Sequence, residues 1–345
     1  MPRSTIRLVA IGGGTGLATL LRGLKSYVHS EGTWSISDLA AIVTVTDEGG
    51  SSGVLRREFS MLPPGDVRNC IVALAEEEQI LSQLFNYRFG TDSTLTGHSL
   101  GNLLLTALTD LRGSFLEAVR ELSEVLAIRG TIYPAALEDL RIRAHCADGT
   151  ILEGETAIGG DRLANEIPDE HSPIVRLELE PSNPPALPEA IQAIRNADVV
   201  VIGPGSLYTS IIPNLVIPEL GEAVRSARGL KIYICNVMTQ PGETDGYDAT
   251  AHLQALLDHA GLVAEAMIVN GLRPSSHLLG AYQRHRQFPV DCDPDAIRAL
   301  GVTPFFGDII AEGNYLRHDP GALADTVFRL YERYGRRLQK LRRER

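Results

Sequence analysis

The chain is poor in the residues that staple or anchor a protein. Its 345 residues hold four cysteines, Cys70, Cys146, Cys235 and Cys292, far apart and with no C-x-x-C pair. That spacing argues against a disulfide framework and a zinc site, and implies reduced, mostly buried thiols in a cytoplasmic protein. Long hydrophobic runs are also missing. The N-terminus has no signal-like apolar region, and no segment approaches the roughly 20 apolar residues of a membrane span. Positive charge is the minority sign, with 32 Lys and Arg against 43 Asp and Glu and a net charge of −11. A chain without excess cations has little means of displacing counterions from a polyanion, so nucleic acid is not an expected partner. Reaction motifs are scarce too. No H-E-x-x-H pair and no Gly-Lys-Ser/Thr phosphate loop occurs, and no residues assemble into a recognisable nucleophile–base pair.

What remains is ordinary globular composition, 44% hydrophobic and 22% charged. That is enough for one large α/β domain or two smaller ones with a substantial core. The most informative stretch is RLVAIGGGTGL near the start. Leu8-Val9-Ala10-Ile11 reads as a buried strand, and Gly12-Gly13-Gly14-Thr15-Gly16 follows it directly. Next come Leu17, Leu20, Leu21 and Leu24 at helical spacing. A glycine turn opening onto a helix start offers free N–H donors and the positive end of the helix dipole, which suits a phosphate group. The dinucleotide fingerprint G-x-G-x-x-G fails here, its third position falling on Leu17 or Thr19. A plain strand-to-helix turn is the simpler alternative, but four glycines within five positions cost too much chain entropy to favour it.

Strands and helices then alternate. LAAIVTVT reads as a second strand ending at Asp47, and helices start near Asp66 and near His98, with SFLEAVRELSEVLAI a third helical stretch. Such alternation predicts an α/β fold with a Rossmann-like, doubly wound, mostly parallel sheet. Over 131–180 the pattern turns β-rich. LRIRAHCADGTILEGETAI alternates around Asp148-Gly149, a hairpin signal, and IVRLELEP adds a strand. This segment is expected to be an insertion within a single domain spanning 1–330. Alternation resumes with ADVVVIGPGS, KIYICNVMT, ATAHLQALLDHAG, EAMIVNG and TPFFGDI, and a final helix begins at PGALADTVF. The end, 331–345, carries Arg336, Arg337, Lys340, Arg342, Arg343 and Arg345 and reads as a basic, solvated helix end or tail.

Several loops carry candidate chemistry. TVTDEGGSSG places Asp47 and Glu48 at a strand end, where open α/β sheets bind ligands. Asp47 can accept a ribose hydroxyl, ligate Mg²⁺ or form an Asx turn, and Ser51 and Ser52 can donate to phosphate. In PPGDVRN, Asp66 is either a helix N-cap or a second metal carboxylate, with Asn69 one turn further on. GHSLGN brings His98, a histidine able to act as acid or base, together with Asn102. VVVIGPGSLYTS is a second strand-to-glycine turn, with Gly203 and Gly205 before Ser206 at an apparent helix N-cap. Asn236 ends the next strand, ahead of a polar loop containing Thr239, Glu243, Thr244 and Asp245.

Taken in order, GGGTGLATLLRGLK, VTDEGGSSGVLRREF, PPGDVRN, GHSLGNLLL, GPGSLYTSIIPNL and CNVMTQPGET resemble the YvcK branch of the YvcK/CofD family, over roughly residues 7 to 318. The resemblance implies a Rossmann-like cytoplasmic protein of the gluconeogenesis-factor type. Such proteins support cell shape and wall synthesis on gluconeogenic carbon sources and bind UDP-sugars such as UDP-N-acetylglucosamine. It implies nucleotide contacts at Gly13, Gly14, Thr15, Gly205 and Asn236; with Gly12, Gly16, Ser51, Asn69, Asn102, Gly203 and Ser206 from the loops above, these are the candidate ligand contacts, and Asp47 and Asp66 are the candidate metal ligands of the transferase alternative. The CofD branch instead uses Mg²⁺ to transfer a phospholactyl group from a guanosine diphosphate conjugate. It carries paired aspartates where this chain has Asp47-Glu48, and an S-P-D-x-D-T type motif where this chain has PPGDVRN. The expected ligands are Mg²⁺ and a nucleotide-sugar, or a NAD-like dinucleotide in the same cleft. The expected partners are that small molecule, a second copy of the chain and regulators of cell-wall synthesis.

Overall fold

The structure is a computed structural model that describes residues 4–76, 78–90, 94–160, 171–312 and 316–335. Its strands in chain order are β1 (Ser4–Gly12), β2 (Trp34–Val43), β3 (Thr131–Pro134), β4 (Arg141–Cys146), β5 (Ile151–Glu153), β6 (Ile174–Glu180), β7 (Val199–Ile202), β8 (Leu230–Ile234), β9 (Ala266–Asn270), β10 (Thr303–Gly307), β11 (Ile310–Glu312) and β12 (Leu316–His318). The first five α-helices are α1 (Gly14–Leu24), α2 (Gly50–Phe59), α3 (Gly65–Leu74), α4 (Glu78–Asn86) and α5 (Leu100–Arg112).

Seven strands form one all-parallel sheet in the order β10-β9-β8-β7-β1-β2-β3. By rank within that sheet, read from its β3 edge, the order is 3-2-1-4-5-6-7. This is the doubly wound arrangement with one strand added. Parallel strands need crossover helices, and those helices cover both faces. That accounts for the composition of the central strands. Leu8 through Ile11, Val199 through Ile202 and Leu230 through Ile234 are all buried, Lys231 included. The winding direction reverses between β1 and β7, so their C-terminal ends splay apart into a crevice.

Three features differ from the sequence reading. β3 is the edge of the main parallel sheet, pairing Ala40–Val43 of β2, so the antiparallel insertion starts only at Arg141. The insertion is the sheet β5-β4-β6, and the expected strand residues after Glu153 instead wind into a short helix, Glu155–Gly159. β2 stops at Val43 rather than continuing to Asp47. Beyond it the Thr44 and Thr46 hydroxyls bond each other at 2.9 Å, and the Asp47 carboxylate turns back to the Gly49 N–H at 2.9 Å. Arg56 of α2 ties the chain that leads into the insertion to the core: its guanidinium pairs with Glu48 and Asp139 and donates to the Leu140 carbonyl at 2.6 Å.

The last α-helix, Pro320–Leu330, passes into a wider turn over Tyr331–Gly335, and the basic run at 336–345 lies outside the described residues. No helix among the described residues is long and apolar enough to cross a membrane. Cys70, Cys146 and Cys235 are buried, Cys292 is partly so, and all four are free thiols.

Candidate functional site

The two glycine turns meet at the switch point. Gly203 donates its N–H to the Ile11 carbonyl at 2.8 Å, so the loop after β7 runs beside the loop after β1. A Cβ on Gly16 would sit 2.5 Å from the Pro204 carbonyl oxygen and 3.0 Å from Gly205 Cα, so only glycine lets the backbones come this close. Gly14, the first residue of α1, has φ +63°, a left-handed conformation that also favours glycine. Gly13, in extended backbone, caps the helix without a side-chain bond. The first amides of α1 therefore have no cap and open onto the crevice.

That crevice is a cleft of about 550 Å³. One wall is the glycine loop and the exposed face of α1 down to Arg22. The second is Pro204, Gly205 and Ser206, with Asn236 through Gln240 beyond them, and the third is Tyr282, Gln287 and the β12 residues Leu316, Arg317 and His318. Gly13, Gly14, Thr15, Gly16, Asn69, Gly205, Ser206 and Asn236 line it. Gly12 and Gly203 lie beneath it. The Gly12 carbonyl accepts from the Thr44 N–H at 2.9 Å and the Asn214 amide at 3.3 Å, and Gly203 has φ +81°. Ser206 precedes a π-helical turn, Leu207–Ile211, and makes no side-chain cap there. Its hydroxyl instead accepts from Gln240 Nε2 at 3.0 Å, while Gln240 Oε1 accepts from Asn236 Nδ2 at 2.9 Å. Asn236 Oδ1 is buried with no partner.

A second polar cluster lies over the ends of β1 and β2. Asp66 is not the N-cap of α3; Pro64 occupies that position and Asp66 sits in the first turn. Its Oδ2 is 2.5 Å from where a Cβ on Gly13 would be, so this carboxylate lies against the first glycine loop. Asp47 Oδ2 is 2.6 Å from the corresponding point on Gly65, one residue before Asp66. Between the carboxylates and the helices lies Arg68, buried, donating to Ser99 Oγ at 2.7 Å and to Asn69 Oδ1 at 2.7 Å. Burial, helped by the nearby Arg88 cation, pushes its guanidinium down to about 10, against the pull of Asp66 and Asp47. Glu48 is drawn away from this cluster by Arg56 and Arg141.

Ser51 and Asn102 belong to this cluster and not to the cleft wall. Ser51 Oγ is 3.0 Å from His98 Nδ1 and accepts from Asn102 Nδ2 at 3.1 Å. This serine–histidine contact across 47 residues is one that the sequence reading did not find. The signal was present, because Gly49-Gly50-Ser51-Ser52-Gly53 has the G-x-S-x-G spacing at a loop-to-helix turn. His98 faces Ser51 through Nδ1. Among the described residues no group of three or more His, Cys, Asp or Glu side chains could hold a metal by itself. Asp47 and Asp66 fit a cation only of the kind that takes one or two carboxylates and completes its shell with ligand phosphates and water.

Sequence reasoning also missed the third wall. Tyr282 accepts the Leu316 N–H at 3.0 Å and donates to the Leu316 carbonyl at 3.2 Å, clamping the helix Ser276–Gln283 to β12. These residues carry no motif; they reach the cleft only because β12 packs against α1.

Comparison with known proteins agrees with this architecture. The family described as 2-phospho-L-lactate transferase CofD matches residues 8–310. The gluconeogenesis factor of Halalkalibacterium halodurans is 44% identical over 324 residues, 93% of this chain and 95% of that protein. The gluconeogenesis factor of Bacillus subtilis is 43% identical over 323 residues, 93% of this chain and 96% of that one. A crystal structure of a UPF0052 family member from Bacillus halodurans superposes with a TM-score of 0.86 at 42% identity, covering 95% of this chain and 99% of its own. The chain therefore belongs to the CofD family, among its YvcK/UPF0052 gluconeogenesis factors.

Proposed function

We propose that this chain binds a nucleotide-sugar of the UDP-N-acetylglucosamine type at the switch-point cleft, and as a regulator supports cell shape and wall synthesis on gluconeogenic carbon sources. One observation carries the binding reading: two glycine turns meet at the floor of a cleft of about 550 Å³, with the uncapped amides of α1 at one end. Those amides and the helix dipole suit a diphosphate, and Arg22 and Arg317 add positive charge along the same cleft. Polar side chains from Asn236 to Gln240 suit sugar and ribose hydroxyls. The regulatory role rests on the gluconeogenesis-factor relatives, 43–44% identical to this chain. A divalent cation held by Asp66 and Asp47 would neutralise diphosphate charge. A NAD-like dinucleotide also presents a diphosphate, so it competes for the same floor.

The second reading is a Mg²⁺-dependent transferase of the 2-phospho-L-lactate transferase type. The observation favouring it is that Asp66 lies against the first glycine loop and Asp47 beside Gly65, both close enough to act on Arg68. Calorimetric titration separates the two. The first reading expects saturable binding of UDP-N-acetylglucosamine exceeding that of guanosine diphosphate and NAD. Tight guanosine binding without uridine binding would replace it with the second.

A further inference from the structure

Asn69 presents one end of its amide to the cleft, and a buried arginine decides which end. Arg68 Nη2 donates to Asn69 Oδ1 at 2.7 Å. A guanidinium has five N–H groups and no acceptor, so the amide atom that faces it is the oxygen and not the nitrogen. Asn69 lines the cleft and is only partly buried, so the end of the amide left for a ligand is Nδ2, with its two N–H donors. Arg68 is itself held in place. Its Nη1 donates at 2.7 Å to Ser99 Oγ, the buried N-cap of α5, which also accepts the Asn102 N–H at 3.3 Å. The arginine stem runs against Gly101, where a Cβ would sit 2.8 Å from Arg68 Cδ and 3.0 Å from its Cγ. The start of α5 fixes the guanidinium, and the guanidinium fixes the amide.

The position of this donor indicates what it meets. Asn69 follows Asp66 by three residues on the same face of α3, and Asp66 lies against Gly13. Side chains on a helix lean toward its N-terminus, which carries the Asn69 amide toward the glycine loop and the first amides of α1. We propose that Asn69 Nδ2 donates to a non-bridging oxygen of the ligand's diphosphate, and that Arg68 is a positioning residue that keeps Asn69 a donor. The inference rests on the nucleotide-sugar reading of the cleft. The same contact sets Asn69 against a role as metal ligand beside Asp66, because the amide oxygen that would coordinate a cation already faces the Arg68 cation.

Isothermal titration on the full chain tests both residues. Asn69→Asp is nearly isosteric and keeps an oxygen toward Arg68, so it is expected to melt no lower than wild type. It turns the cleft-facing donor into a charged acceptor, and affinity for UDP-N-acetylglucosamine is expected to fall about a hundredfold. The same loss is expected with UDP, which carries the diphosphate without the sugar. A loss confined to the sugar-bearing ligand would place the amide on the sugar and overturn the diphosphate contact. Arg68→Met lets the Asn69 amide turn over, so it is expected to weaken binding several-fold in wild type and not at all in an Asn69→Ala background. Equal losses in both backgrounds would make Arg68 merely structural. Should these variants fail to fold, wild-type protein decides by nuclear magnetic resonance. There the Asn69 side-chain N–H signal is expected to move downfield on saturation with UDP-N-acetylglucosamine, and a signal that stays in place overturns the contact. Wild-type binding matched by Asn69→Asp overturns this inference alone, whereas no binding of UDP-N-acetylglucosamine by wild type overturns the nucleotide-sugar reading and this inference with it.

Discussion

Adding a single methyl group at Gly16 tests whether the crossing of the two loops makes the site. In Gly16→Ala the new Cβ would lie 2.5 Å from the Pro204 carbonyl oxygen and 2.8 Å from its carbon. Ordinary contact begins near 3.4 Å, so the loops must part by about 0.9 Å. Neither loop yields easily. The Pro204 side is held by the Gly203 N–H on Ile11, and the Gly16 side is the first turn of a helix whose apolar face is buried at Leu17, Leu20, Leu21 and Leu24. Backbone overpacking of this kind costs about 1–3 kcal/mol. In a chain of this size that lowers the melting temperature by roughly 1–4 °C. The same displacement moves the α1 amides off the position proposed for the diphosphate, and a shift near 1 Å in a positioned site costs on the order of a hundredfold in what the site does. The control is Gly149→Ala in the β4–β5 turn. There φ is +89° and nothing lies within 4 Å of the new Cβ, so only backbone strain is added, far from the cleft. Melting by circular dichroism and titration with UDP-N-acetylglucosamine are measured on both variants. Gly149→Ala should lose about 1–2 kcal/mol of stability and no affinity, whereas Gly16→Ala should lose both. A folded Gly16→Ala protein that binds as tightly as wild type would falsify the reasoning.

Other expected outcomes follow from the same contacts. His318 titrates at about 4 when folded against an ordinary 6.5, and burial also lowers His252 and His259. Between those pH values the unfolded chain holds protons that the folded one refuses. Stability is therefore full above about 6.5 and falls as pH drops toward 4, with His318 alone worth up to about 3 kcal/mol, measurable by urea unfolding across that range. A melting curve unchanged from pH 7 to 4.5 would show that these rings are not buried neutral. Arg56→Met removes the guanidinium from Glu48, Asp139 and the Leu140 carbonyl and should destabilise by about 1–3 kcal/mol without changing ligand affinity; equal loss of affinity would mean the insertion shapes the cleft. If Asp66 and Asp47 share a cation with the diphosphate, chelating Mg²⁺ weakens UDP-N-acetylglucosamine binding in wild type and leaves Asp66→Asn unaffected, as read by titration with and without EDTA. Ser51→Ala deletes the bonds to His98 and Asn102 and should cost about 1–3 kcal/mol through the stranded Asn102 amide. A variant as stable as wild type would show that this contact is not structural.

Much of the fold was legible before any coordinates. Strands buried on both faces require continuous apolar runs, and LVAI, VVVI and KIYI announce themselves in that way. The glycine turns after β1 and β7 were legible for a related reason: close backbone approach and left-handed φ leave few residue choices, so such positions write themselves into the sequence as glycine. Local capping was harder to read. Asp66 has the chemistry of an N-cap, yet the helix begins one residue before it, because Pro64 and Gly65 set the chain direction.

By itself, then, the sequence determined a parallel, doubly wound α/β core, a glycine turn after its first strand, and membership in a family recognised by six ordered motifs. Only the tertiary structure decided what shares a cavity with what. It placed Ser51 on His98 and Asn102, drew Glu48 toward Arg56 and away from Asp47, moved Thr131–Pro134 from the insertion to the main sheet, and brought His318 and Tyr282 round to face the glycine loop. Backbone conformation and burial are constraints on single positions and short windows, which a sequence displays directly. Contacts between side chains hundreds of residues apart depend on strand order and helix packing, and no residue's own chemistry specifies its partner.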